Sequence, residues 1–255
     1  MPTKLMENKV VWLTGASSGI GKAILLELLA QNASVIASSR SILELADLQR
    51  QFPSQLLLVQ ADVTDLNSVL TCAKEIDAKY GYLDIAVLNA GNCIYMGVHN
   101  FDVELIKQNF AVNFFGLTNC IQACLPLLRK SKSPQLVGMS SASAYLPLPR
   151  AEGYGSSKAA ISYLLKSLQA HLRREKIVVS IIYPGFVKTP LTARNDFPMP
   201  FLMTAEAAAA KIVRGIANKE TEISFPRPLI WLLKFISWLP DKIRIYLVSK
   251  TVKYR

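Results

Sequence analysis

Histidine and cysteine are scarce: 255 residues hold two of one and four of the other. His99, His171, Cys72, Cys93, Cys120 and Cys124 show no C-x-x-C pair and no zinc-like spacing, so the pattern offers no metal site. Reduced thiols in a cytosolic setting are expected, with Cys120 and Cys124 as small buried hydrophobes. The first eight residues are polar and lack an apolar signal core. No secretory signal is expected, and the expected location is cytoplasmic. No uninterrupted apolar run of about 18 residues occurs, so no ordinary membrane-spanning helix is expected. Internal repeats, low-complexity tracts and a second-domain linker are also missing. The last 30 residues are nearly free of acid: seven cations face only Asp241, within a chain of formal charge +11.

What is present is globular. The chain is 51% hydrophobic and 18% charged, and its length fits one domain with a substantial core. Six short apolar runs, at 9–14, 34–38, 56–60, 84–88, 135–140 and 177–183, read as strands. Helical patterns at 22–31, 66–80, 101–128 and 154–174 alternate with them. This order predicts a single-domain α/β fold, a Rossmann-type doubly wound parallel sheet with helices on both faces and ligand groups at the strands' carboxyl ends.

The first strand runs into Thr14-Gly15-Ala16-Ser17-Ser18-Gly19-Ile20-Gly21 and then into a helix. Glycines there let the backbone turn tightly and approach a pyrophosphate, whose charge the helix N-terminus favours. Asn32 stands where that helix must stop, and asparagine tolerates a left-handed cap. After the second strand comes Ser39-Arg40, where an NAD-preferring fold usually has an acid. Serine and arginine suit a 2′-phosphate, so NADP(H) is favoured and NAD(H) stays possible. Asp62, beside Val63 after the third strand, could accept a bond from an adenine amino group or simply cap a turn. Asn89-Ala90-Gly91 after the fourth strand are small enough to lie against a flat ligand. Asn113, amid Phe110, Val112, Phe114 and Phe115, is either a satisfied core amide or part of a polar relay.

Tyr154-Gly-Ser-Ser-Lys158 is the candidate for the chemistry, or else an ordinary surface or packing pair. Four apart on a helix, a phenol and an ammonium reach the same small volume. A cation beside a phenol lowers its pKa toward working pH, the condition for proton transfer. A shift of roughly 3 units needs about 4 kcal/mol.

Together these motifs resemble the short-chain dehydrogenase/reductase family, from Lys9 to about Phe225. The resemblance rests on Thr14-Gly15-x-x-x-Gly19-x-Gly21, Asn89-Ala90-Gly91, Asn113, Ser141, Tyr154-x-x-x-Lys158 and Pro184-Gly185, all in order. Ser141 stands 13 residues before Tyr154, the spacing the family's serine and tyrosine usually show, so the resemblance points to Ser141 rather than Ser140. The resemblance implies Tyr154 as acid/base, Ser141 holding the substrate oxygen, and Lys158 on the nicotinamide ribose, lowering the Tyr154 pKa. It implies that Asn113 steadies a water. It places Gly15, Ser17, Ser18 and Ile20 on the phosphate turn, Asp62 and Val63 at adenine, and Val187 and Thr189 at the carboxamide. It further implies a small-molecule carbonyl or alcohol substrate and a homodimer or homotetramer. Tyr145, where the family often has glycine, is expected to project into the substrate space.

Residues 1–225 form the expected catalytic domain, with a substrate lid at about 190–217 and Thr204 capping its helix. The apolar, methionine-rich 197–203 stretch favours a lipophilic substrate, or else packs on the body or a partner subunit. Residues 226–255 are an apolar and basic extension. Trp231, Lys234 and Trp238, followed by cations, suit peripheral membrane contact; closing the pocket and forming a subunit seam are the alternatives. No groove pairing basic residues with stacking aromatics is seen, so no nucleic-acid partner is expected. The competing functional class is a non-catalytic dinucleotide sensor with a membrane-associating tail.

Overall fold

The computed structural model describes residues 5–97 and 101–251. The first four residues, His99, Lys253 and Arg255 lie outside them. The chain alternates strand and helix: β1 (Val10–Thr14), α1 (Gly19–Ala30), β2 (Ser34–Ser39), α2 (Ala46–Gln51), β3 (Leu56–Gln60), α3 (Leu66–Tyr80) and β4 (Ile85–Leu88). Then follow α4 (Val103–Phe110), α5 (Gly116–Leu128), β5 (Gln135–Met139), α6 (Glu152–Leu172) and β6 (Val178–Pro184). The last elements are α7 (Ala205–Ala217), β7 (Glu222–Phe225), α8 (Arg227–Trp238) and α9 (Asp241–Ser249). The strands form one seven-stranded sheet in the order β3-β2-β1-β4-β5-β6-β7, with every pairing parallel. Six strands were expected. β7 escapes a hydrophobic-run reading because it is four residues long and alternates Glu222, Ile223, Ser224, Phe225.

β1 shows how the layers form. All five of its residues are buried. Val11 and Leu13 join the cluster roofed by α1 and α7, whereas Val10 and Trp12 join the one under α3, α5 and α6. A strand covered on both faces must be apolar throughout, since successive side chains point opposite ways. The strand order reverses between β1 and β4, and there the carboxyl ends part to leave a crevice.

The sequence pattern at 101–128 predicts one helix. The structure instead places a π-helical turn at Ala111–Phe115 between α4 and α5. A π-turn inserts a residue into the helix and re-aims a side chain; here Asn113 lies in it, fully buried. By length and composition the stretch Val103–Leu128 could cross a bilayer, although no uninterrupted apolar run marked it. Half of its apolar window is buried inside the body, as in a core helix.

α1 ends as its sequence predicts. Asn32 adopts φ 61°, and Ala33 N–H donates to Leu28 O at 3.1 Å while Asn32 N–H donates to Leu29 O at 3.0 Å. Those two bonds are the left-handed helix stop that asparagine permits. Thr204 caps α7, accepting from Ala207 N–H. α7 itself is a body helix: Ala208, Ala209, Ile212, Val213 and Ile216 are buried in the α1 layer. The expected lid therefore ends at Met203, whose backbone pairs with Val187.

Candidate active site

A cleft of about 480 Å³ opens at the sheet's carboxyl edge. Gly15, Ser17, Ser18, Gly19, Ile20 and Gly21 line it at the β1–α1 turn, Ser39 and Arg40 at the end of β2, and Asp62 and Val63 after β3. Asn89, Ala90 and Gly91 follow β4, and Ser141, Tyr154, Lys158, Pro184, Gly185, Val187 and Thr189 complete the wall. Asn113 and Tyr145, both singled out from the sequence, are absent from this lining.

The glycine turn is shaped by close contacts. Gly15 and Gly19 adopt φ +68° and +54°. A Cβ on Gly21 would sit 2.1 Å from Gly15 O, so no other residue fits there. Asn89 buttresses the turn: its Nδ2 donates to Thr14 O at 3.0 Å and Gly15 O at 3.1 Å. Its Nδ2 therefore braces the scaffold while the residue lines the cleft. Ser18, the N-cap of α1, makes no capping hydrogen bond, and no acid occupies the first helical turn. Those free N–H groups and the positive dipole end face the cleft, which suits the pyrophosphate of a dinucleotide. A dinucleotide fits this cradle.

At the β2 end, Ser39 Oγ donates to Ser17 Oγ at 2.9 Å, and Gln60 Nε2 donates to Arg40 O at 3.0 Å. Asp62 Oδ1 accepts from the Thr64 N–H and hydroxyl at 2.9 and 2.8 Å. These bonds, helped by the Arg40 charge, hold its carboxyl below its usual pKa. The turn-capping alternative is thus met at one oxygen of Asp62.

Tyr154 lies in the first turns of α6, which starts at Glu152. Ser141, buried to 9% exposure, follows β5; its Oγ accepts from Ser143 N–H at 3.2 Å and lies near enough to the Tyr154 phenol to oppose the rise in its pKa. Ser140 points elsewhere: its hydroxyl donates to Lys158 O at 3.0 Å and contacts Ser162 Oγ at 2.7 Å. Lys158 is 3% exposed. Its Nζ donates to Met139 O at 2.9 Å and stands 5.8 Å from the Tyr154 ring centre. Gly91 makes room beside it: a Cβ there would lie 3.0 Å from Asn113 Oδ1 and 3.3 Å from Lys158 Nζ.

Asn113 sits behind the cleft with both ends of its amide hydrogen-bonded. Nδ2 donates to Asn92 O at 3.1 Å and Ser157 Oγ at 3.0 Å, and Oδ1 accepts from Asn92 N–H at 2.8 Å. The satisfied-core reading of this residue is met, and the same amide fixes Asn92 on the cleft wall.

Two expectations are corrected. The sequence argument has Lys158 lowering the Tyr154 pKa, but burial dominates and pushes the Tyr154 phenol up, with Ser141 opposing. Burial equally pushes the Lys158 ammonium down, to about 8. Tyr145 does not project into the substrate space. Its ring stacks on Tyr183 at 4.6 Å, its hydroxyl donates to Glu222 at 2.8 Å, and Lys234 lies 4.7 Å over its face.

Sequence reasoning missed several residues here. Arg194, Leu191 and Thr192 reach the cleft from the lid. Burial raises the Cys93 thiol to about 11, and the nearby Lys158 ammonium opposes that rise. A lone cysteine in a loop gives no signal of this. The segment expected to act as a lid is pinned: Tyr95 meets Phe197 edge-on at 5.5 Å, Phe197 meets Phe186 at 6.1 Å, and Arg150 Nη1 donates to Asp196 at 2.8 Å.

Residues 9–198 match the short chain dehydrogenase family. The chain is a short-chain dehydrogenase/reductase. It is 34% identical over 239 residues to an uncharacterized oxidoreductase of Myxococcus xanthus, covering 92% of this chain and 94% of that one. It is 33% identical to an 11-beta-hydroxysteroid dehydrogenase-like 3 of Arabidopsis thaliana, covering 92% and 78%. A short chain dehydrogenase of Burkholderia cenocepacia, solved in complex with NADP, shares its fold at TM-score 0.82 and 23% identity, covering 97% and 99%. This short-chain dehydrogenase/reductase is therefore an NAD(P)-dependent oxidoreductase with a Rossmann-like sheet in one domain.

Proposed function

We propose that the enzyme interconverts a lipophilic ketone or aldehyde and its alcohol, with NADP(H) preferred over NAD(H). One observation carries this reading: Ser141, Tyr154 and Lys158 converge on the same cleft as the glycine turn and Arg40. The bound nicotinamide dinucleotide supplies or accepts the hydride. The glycine turn, with Ser17, Ser18 and Ile20, holds its phosphates. Ser39 and Arg40 would take the 2′-phosphate, Asp62 and Val63 would flank adenine, Asn89, Ala90 and Gly91 would border its ribose, and Val187 and Thr189 would meet the carboxamide.

Burial keeps Tyr154 protonated, the state that carbonyl reduction needs. Its O–H gives a proton to the substrate oxygen while the Ser141 hydroxyl donates a second hydrogen bond to that oxygen. The phenolate so formed is stabilised by the Lys158 ammonium, which the bond to Met139 O keeps in place. Alcohol oxidation runs the same proton path backwards. Asn113 acts by position, holding Asn92 and the Lys158 surroundings. The aromatic staple Tyr95–Phe197–Phe186 and Met199 give the lid an apolar character, which favours a lipophilic substrate. A relative named for steroid dehydrogenation is in keeping with that.

Family members act on small molecules and commonly form oligomers. We read a homodimer or homotetramer here through α4, α5 and α6. In this region Phe115 is 58% and Tyr163 82% exposed.

The decisive experiment is a carbonyl panel graded by chain length, run with NADPH and NADH. Turnover is expected to favour NADPH and long-chain substrates. Tyr154→Phe is expected to lower kcat by a factor of about 10²–10⁴ while cofactor binding persists. Full turnover in Tyr154→Phe would refute the mechanism, and equal use of a small polar ketone would refute the substrate class.

A further inference from the structure

α8 is apolar on two faces. Leu229, Ile230 and Leu233 are buried against Ala142 and Leu146. On the outside, Trp231 is 71%, Phe235 65% and Trp238 92% exposed. Steps of four and three residues place these three rings in one stripe. The surface continues on α9, where Ile243 is 48% and Tyr246 57% exposed and no residue is buried. A soluble surface rarely shows such a patch unless something covers it.

Charge selects what covers it. Seven cations and one acid occupy residues 226–255. Lys234 pairs with Glu222 and Arg244 with Asp241. Among the described residues, Arg227, Lys242 and Lys250 have no carboxylate within salt-bridge reach. A second copy docked face to face would bring these like charges together. An anionic bilayer satisfies both features, since aromatic rings enter the headgroup boundary and cations meet lipid phosphates. Spanning is excluded by length: twelve residues of α8 rise about 18 Å against a hydrocarbon core of about 30 Å.

We propose that α8 and α9 form an interfacial surface that seats the enzyme on an anionic phospholipid membrane. The helices are held ready for it. Lys234 Nζ donates to Glu222 Oε1 at 2.7 Å, and Tyr145 donates to the same oxygen. On the inside, Leu229 packs so closely on Gly185 that a Cβ there would lie 2.6 Å from it. The helix that meets lipid is thus the one that backs the cleft wall.

The test is flotation of the full-length protein with vesicles of phosphatidylcholine alone and of phosphatidylcholine mixed equally with phosphatidylglycerol. The protein is expected to float with the mixed vesicles only, and to release at about 0.5 M salt, where screening is nearly complete. Lys242→Glu with Lys250→Glu should lower partitioning at least about tenfold. Reversing Lys74 and Lys79 on α3 should leave it unchanged, which separates a local surface from bulk positive charge. Trp231→Asp with Trp238→Asp should abolish binding at an unchanged melting temperature; should it melt lower, the Lys242/Lys250 pair decides alone. Failure of the full chain to float, or equal loss in the α3 variant, overturns the proposal. A concentration-dependent mass that the tryptophan pair removes, without flotation, assigns the surface to a second copy instead.

Discussion

At Lys158 an ammonium is held at 3% exposure with Met139 O as its acceptor. Its folded pKa of about 8 lies below the 10.5 of the free side chain. Between those values the unfolded chain binds the extra proton, so stability rises with pH across that window. The gain is about 3 kcal/mol in all. Lys158→Met should flatten this rise, read by urea unfolding at several pH values from about 8 to 10. An unchanged slope would place the titrating group elsewhere. Lys158 and Tyr154 were visible as a pair because four-residue spacing on a helix is a local rule. The direction of their pKa shifts was not, because burial depends on every element around them. Asn113 shows the same split. Its oddity amid phenylalanines is local, but its partners Asn92 and Ser157 lie 21 and 44 residues away.

The β1–α1 turn is the element most completely written in its own residues. Its two positive-φ glycines and Gly21 leave one way for the chain to go. Gly21→Ala would press a methyl to 2.1 Å from Gly15 O and 2.6 Å from Asn89 Nδ2. This is expected to cost about 2–4 kcal/mol and to weaken NADPH binding at least tenfold. Calorimetry and a fluorescence titration read the two effects. Wild-type behaviour in both would mean that the turn can relax. Elements without such punctuation were harder to see. The π-turn at Ala111–Phe115 has no sequence mark, because the apolar period simply continues through it. β7 owes its place to pairing with β6, from Ile181↔Glu222 to Pro184↔Phe225, which no local pattern announces.

For the molecule as a whole, the C-terminal extension is part of the catalytic body. Leu229, 4% exposed, connects α8 to Gly185 in the cleft wall. Leu229→Ala should cost about 3 kcal/mol in urea unfolding and raise KM more than it lowers kcat, because the wall loosens while the Tyr154 proton path stays. A loss under about 1 kcal/mol would mean that α8 is only loosely seated. The proposed homodimer or homotetramer is built through α4, α5 and α6. Tyr163→Glu, placing a charge at an 82% exposed ring, should convert the oligomer to a monomer in sedimentation. A wild-type protein that is already monomeric would refute that interface.

The sequence alone determined the sheet class, the glycine turn, the helix stop at Asn32 and the convergence of Ser141, Tyr154 and Lys158. The sheet class, the turn and the helix stop follow from short-range rules of φ preference and hydrophobic period, and the Tyr154–Lys158 pair from helix spacing; Ser141 joined them through the family resemblance. Only the tertiary structure decided that Tyr145 turns away to Glu222, that α7 belongs to the core, that Cys93 stands beside Lys158, and that α8 is apolar on both sides. Those outcomes depend on which surfaces meet across long stretches of chain, and burial, not local pattern, is the quantity that settles them.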